Sequence, residues 1–106
     1  MSNVPFINCF QVPAGREEVF FALWKKVNAY MQNQPGYVSH ELHRSLAPDA
    51  HFRFVNYVLW ESVDAWKAAH DEGFFALVNV PEWKEFTTTS ALYEIVHTGG
   101  TAAVAA

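Results

Sequence analysis

Apolar positions along this chain recur at two spacings, every second residue or every third to fourth. The switches between the two mark out its elements. Phe6 to Val12 alternates and reads as a first strand, turned by Pro13-Ala-Gly15. Phe20, Leu23, Trp24, Val27 and Met31 then fall on one helical stripe. Glu17 and Glu18 stand at its start, where the helix dipole favours carboxylates, and Pro35-Gly36 stops it. Tyr37 to Ser45 alternates as a second strand, and Ala47-Pro-Asp49 turns the chain into a third, ending at Trp60, to make an antiparallel hairpin. Ser62 is a good N-cap for a second helix, with Asp64 in its first turn and Gly73 expected to break it. Phe74 to Phe86 reads as short helical or irregular chain interrupted by Pro81, and Thr87 to His97 as the last strand. The order βαββαβ predicts an α+β, ferredoxin-like fold: a four-stranded antiparallel sheet with helices on one face.

Two amides disturb this pattern. Along the third strand Phe52, Phe54, Asn56, Val58 and Trp60 share one face, and Val55, Tyr57 and Leu59 share the other. Asn56 therefore sits in an aromatic row, as Asn8 does between Phe6 and Phe10 on the first strand. A buried amide needs a hydrogen-bond partner, whether backbone, water or ligand.

Composition narrows the class. The 106 residues suit one domain, with an ordered core over about residues 4–98 and a mobile Gly- and Ala-rich tail over 99–106. Apolar residues make up 51% and aromatic residues 16% of the chain. With third-strand side chains apolar on both faces, this predicts a homodimer that covers the sheet face the helices leave bare. In that expectation Ala91, Tyr93 and Ile95 on the last strand extend the row of Val55, Tyr57 and Leu59. A net charge of −4 without a basic run argues against nucleic acid. The single cysteine, Cys9, precludes an internal disulfide and suits a reducing compartment. With no recognisable signal peptide or membrane-spanning run, a cytoplasmic protein is expected. No residue set has metal-ligand spacing, and no dinucleotide fingerprint is present.

Asn8 with Val12-Pro-Ala-Gly15, Gln34-Pro-Gly-Tyr37, Asn56-Tyr57 with Trp60-Glu-Ser62, and Ala65-Trp66 together resemble the antibiotic biosynthesis monooxygenase superfamily, the dimeric α+β barrels. The similarity spans the chain from the first strand to Gly100. In one branch, cofactor-free enzymes oxygenate polycyclic phenols or anthrones with molecular oxygen. Its third-strand pattern is matched by Asn56, Tyr57, Trp60, Glu61 and Ser62, and its pocket aromatic on the next helix by Trp66. The other branch degrades haem. Its first-strand Asn is matched by Asn8, but its helical Trp falls at Ala69 and its iron-ligating His near Val78 or Asn79.

The resemblance implies a cofactor-independent monooxygenase acting on a small aromatic, quinol-like compound, with haem binding or degradation through Asn8 and His70 as the alternative. A non-catalytic binding module is a third reading. Asn56 and Trp60 would donate hydrogen bonds to developing negative charge, and His70 would be the base. Asn8, Trp66, Phe54 and Trp24 would line the substrate pocket. Each residue also has a plainer role: Asn56 as a structural amide, Trp60 and Trp66 as core, His70 as a partner for the end of its helix. His40 and His43 fall on opposite faces of the second strand, and His51 lies at the hairpin turn.

Overall fold

The structure, a computed structural model, describes residues 3–101. Its strands are β1 (Val4–Gln11), β2 (Tyr37–Arg44), β3 (Phe54–Trp60) and β4 (Thr87–Leu92). Its α-helices are α1 (Glu17–Met31), α2 (Val63–Ala69) and α3 (Glu72–Val78), and a short 3-10 helix, Pro81–Glu85, leads into β4. The sheet runs β2-β3-β1-β4, with every neighbouring pair antiparallel. This is the ferredoxin-like arrangement the element order predicts.

Alternation decides which face is covered. Phe54, Asn56, Val58 and Trp60 of β3 are buried, and Val55, Tyr57 and Leu59 are half-buried. The α1 stripe supplies Phe20, Trp24 and Met31 to the buried side. Two clusters form there. One joins Phe6, Met31, Val58, Trp60 and Ala69. The other joins Phe10, Phe20, Trp24, Phe54 and Phe86.

Local chemistry explains most boundaries. Ser62 caps α2 by accepting from the Ala65 N–H at 3.0 Å. Glu17 accepts from the Gly15 N–H at 2.9 Å, so its carboxylate ties down the turn before α1. The β2–β3 hairpin is closed by the Ser45 N–H donating to the Arg53 carbonyl at 2.8 Å.

Three expectations are corrected. The break after α2 lies at His70–Asp71, not at Gly73. Asp71 N-caps α3 by accepting from the Phe74 N–H at 3.0 Å, and Gly73 falls inside that helix. It fits there because a side chain at Gly73 would overlap the Tyr30 hydroxyl. Next, β4 ends at Leu92 rather than His97. Its partner β1 begins at Val4, so after the Tyr93 N–H donates to the Pro5 carbonyl at 2.9 Å the register runs out. Tyr93 and Ile95 are therefore 52% exposed each and not part of a strand row. Of the tail expected to be mobile, residues 99–101 carry no helix or strand, and 102–106 lie outside the described residues. Finally, β2 does not alternate throughout: a bulge between Tyr37 and Ser39 shifts its register. Tyr37 pairs with Trp60 and His40 with Val58, so both reach the helix side although they are an odd three positions apart.

Candidate active site

Between the sheet and the helices lies a cavity of about 480 Å³, floored by the inner faces of β1 and β3. Register places the two anomalous amides side by side. Asn8 is directly opposite Asn56 on one flank and Ser90 on the other, so a polar row crosses three strands. Largely apolar rows flank it: Phe6 with Val58 and Leu92, then Phe10 with Phe54, ending in the polar Thr88. Asn8, Asn56 and Ser90 all line the cavity. A polar stripe in an apolar floor suits a planar molecule with oxygens at its edge.

Polar atoms without partners gather at this cavity. Asn56 is 6% exposed and Trp60 only 1%. Among the described residues, Asn56 Oδ1 and the indole Nε1 atoms of Trp60, Trp66 and Trp83 are buried with no hydrogen-bond partner. All four residues line the cavity. Each such group costs about 1–3 kcal/mol if left unpaired. Four at one place are hard to attribute to packing alone: the three indole N–H groups call for ligand oxygens that accept, and Asn56 Oδ1 calls for a ligand O–H that donates, a combination a phenolic aromatic offers.

His70 is the imidazole of the site. It closes α2, and its Nδ1 lies 2.6 Å from the Trp66 carbonyl oxygen. A carbonyl only accepts, so Nδ1 carries the proton and Nε2 keeps a free lone pair. Burial lowers the His70 pKa from its ordinary value, against a smaller upward pull from the Trp66 carbonyl and the Asp71 charge. A neutral imidazole with a fixed tautomer is a competent base at neutral pH. Its ring is boxed by Trp66 at 4.6 Å, Phe74 at 4.6 Å and Phe6 at 5.7 Å between centroids. The corner that carries it is tied to α1, since the Tyr30 hydroxyl donates to both Asp71 carboxylate oxygens at 2.7 and 2.8 Å. The plainer role for His70 thus holds as well: the ring bonds the last turn of its own helix.

Of the residues expected at a pocket, Asn8, Trp24, Asn56, Trp60, Trp66 and His70 meet at this cavity, and Phe54 does not. Phe54 lies two residues beyond Asn56 toward the second cluster, and its ring is taken up by stacking on Phe20 at 4.6 Å. His43 points away from the cavity face and contacts Glu41 at 3.3 Å. His40 faces inward but is not among the lining residues; it packs on Trp24 at 5.6 Å and meets Asn28 Nδ2 at 3.5 Å.

Sequence reasoning missed Tyr37, Asn28, Trp83 and Lys84, which also line the cavity. Tyr37 was hidden by the bulge. Its hydroxyl donates to Asn28 Oδ1 at 3.1 Å, and burial pushes its pKa up to about 12, so it remains a neutral donor. Trp83 and Lys84 belong to the 3-10 helix, where no periodicity operates. Asn28 had a readable signal, a polar residue next to Val27 on the apolar stripe of α1.

The positions expected of a haem site can now be placed. Ala69 is 2% exposed and sits in the core, Val78 offers only an apolar side chain to the cavity, and Asn79 is the exposed C-cap of α3. Among the described residues no group of three or more His, Cys, Asp or Glu could hold a metal ion. Among the same residues, no helix is long and apolar enough to cross a membrane.

Solved structures share the whole architecture. A candidate monooxygenase from Shewanella loihica PV-4 is 30% identical, with a TM-score of 0.81 over 92% of this chain and 97% of its own. SnoaB, a cofactor-independent oxygenase from Streptomyces nogalater, is 27% identical, with a TM-score of 0.78 over 92% and 97%. MhuD, solved with manganese protoporphyrin IX in its active site, is 23% identical with a TM-score of 0.71 over 92% and 99%, a likeness of fold. No curated protein sequence matches significantly. The family model for antibiotic biosynthesis monooxygenase matches residues 6–88, and the chain belongs to that family.

Proposed function

We propose that this protein is a cofactor-independent monooxygenase that oxidises a small aromatic, quinol-like compound with molecular oxygen. The observation that carries the reading is the company His70 keeps: a neutral imidazole at a cavity with four unpartnered polar atoms. The likeness to SnoaB, a cofactor-independent oxygenase at 27% identity, supports it.

The chemistry needs little from the protein. His70 Nε2 takes a proton from the activated C–H of the bound substrate, leaving a delocalised anion. Asn56, through its NH₂, and Trp60, through Nε1–H, donate to the oxygen on which that charge rests. The anion passes one electron to oxygen, and the radical pair combines to form a carbon–oxygen bond. The peroxide so formed takes the proton back from His70 and loses water, leaving a carbonyl where a CH₂ had been. One oxygen atom enters the product and the other leaves as water. Asn8, Trp66 and Trp24 shape the wall, and the aromatic lining keeps bulk water from the anion.

We read haem as the weaker alternative, which would use Asn8 and His70 of this cavity. Val78 and Asn79 supply no imidazole where the haem-degrading branch has its ligand, and buried Ala69 no indole. The protein is read further as a homodimer through the outer sheet face, in a cytoplasmic setting that suits the free Cys9 thiol.

The test is oxygen uptake with a panel of anthrones, naphthols and hydroquinones, with chelator present and no flavin. Asn56→Ala or Trp60→Phe should lower kcat by about 10²–10³ while binding changes far less. Trp60→Phe keeps most of the apolar volume and removes the donor. Activity that requires added metal or flavin would sink the proposal. So would full activity in both variants. Binding without turnover across the panel would favour a non-catalytic binding module.

A further inference from the structure

The cavity has two unlike ends. Its floor runs along β1 from Phe6 to Phe10, four residues and so about 13 Å at the rise of a strand. His70 packs on Phe6 at one end, with centroids 5.7 Å apart. Trp83 packs on Phe10 at the other, with centroids 6.3 Å apart. Beside Trp83 stands Lys84, among the described residues the one charged side chain in the cavity lining. Among the described residues no carboxylate lines it, although the chain as a whole carries a net charge of −4.

Lys84 also lacks an internal counter-ion among the described residues. Its chain neighbour Glu85 is engaged elsewhere, accepting from Arg16 Nε at 2.7 Å and from a second guanidinium nitrogen at 2.8 Å. That fork holds the Glu85 carboxylate on Arg16, and neither Glu85 nor Glu82 of the same 3-10 helix forms an ion pair with Lys84. The unpartnered Trp83 Nε1–H adds a donor at the same end.

We infer that Lys84 anchors an anionic substituent of the substrate at the end of the cavity opposite His70. The substrate is then an elongated, planar, fused-ring acid, with its reacting carbon at the Phe6 end and a carboxylate-like group at the Phe10 end. The inference rests on the functional reading above for the identity of the reacting end. The anchor itself rests on the lining and on the pairing of Glu85. A lone cation at one end also fixes which way round the substrate lies, and hence which ring edge meets His70.

The test compares two probes of one shape, anthraquinone-2-carboxylate and the neutral anthraquinone-2-carboxamide. Neither has an oxidisable C–H, so quenching of tryptophan fluorescence reads binding alone. The carboxylate should bind about tenfold more tightly than the carboxamide at low salt, with the difference shrinking as salt rises. Lys84→Gln should erase the difference, Lys84→Arg should keep it, and Lys84→Glu should reverse it. Lys67→Gln, on the exposed side of α2, should leave it unchanged. Lys84 is exposed, so these variants should fold, which circular dichroism checks. Equal affinities in the unaltered protein, an equal loss for both probes in Lys84→Gln, or no binding of the carboxylate would overturn the inference. Because the probes do not turn over, failure of the oxygen-uptake assay would leave this result standing, and failure here would leave that one standing.

Discussion

His70 has its two nitrogens in different employment, and this makes its titration informative. Nδ1–H is spent on the Trp66 carbonyl, so protonation must occur at Nε2, and burial opposes it. The folded-state pKa therefore lies below the ordinary value of 6.5. The sign follows. The unfolded chain takes up this proton more readily, so the stability contribution of neutral His70 is complete above pH 6.5 and declines as pH falls toward the lowered pKa. Turnover that needs Nε2 unprotonated should be flat above about pH 6.5 and fall on the acid side. His70→Ala should lose that acid limb and about 10²–10⁴ in kcat. An unchanged pH–rate profile in the variant would reduce His70 to a helix-end partner. At this scale the sequence exposed Asn8 and Asn56, because an amide in an aromatic row violates the apolar pattern. It hid Tyr37, Trp83 and Lys84. Tyr37 is turned inward by a bulge that alternation cannot foresee, and the other two lie on a 3-10 helix without a diagnostic period.

Elements were legible where a side chain carries their boundary. Ser62 announces α2, and Pro35-Gly36 announces the end of α1. They were illegible where the boundary is set by something distant: β4 stops because β1 has no more partners, and Gly73 stays helical because Tyr30 occupies the space beside it. The turn at Gly36 shows how such a distant constraint can be measured. Gly15 and Gly36 have the same positive φ, 85°. A Cβ at Gly15 would meet nothing within 4 Å, whereas one at Gly36 would collide with the Ala65 side chain of α2. The Gly36 carbonyl also accepts from the Glu61 N–H at 2.8 Å, so this turn is docked against the start of α2. Gly15→Ala should cost about 1–2 kcal/mol, the penalty of the left-handed backbone alone. Gly36→Ala should cost about 1–3 kcal/mol more, the overpacking term. Denaturant unfolding of the two variants measures the difference directly. Equal losses would mean that the turn and α2 part without strain.

At the scale of the whole molecule the unresolved account is the outer face of the sheet. The helices and both core clusters lie on one side. On the other, Ile7 pairs with Tyr57 and Ala91, Cys9 with Val55, and Pro5 with Leu59, an apolar strip along β1 and β3 bordered by Ser39, Glu41 and His43 of β2 and by Thr89 of β4. The adjoining segment after β4 adds Tyr93 and Ile95, each 52% exposed, and Val96, 84% exposed. A second copy offers the same patch and can cover this one by twofold symmetry, which closes the assembly at two. Burying about 800 Å² on each subunit is what a stable pair of this kind needs. Sedimentation at micromolar concentration should therefore give a species of twice the 12.0 kDa chain mass. Tyr57→Glu places a charge at the centre of the patch, opposite Ile7, and should convert the dimer to a monomer of lower stability. The cavity lies on the far side of the sheet, so probe binding that survives in a folded Tyr57→Glu monomer would show that each subunit holds a complete site. A wild-type protein that sediments as a stable, folded monomer would refute the assembly, and the patch would then need another occupant.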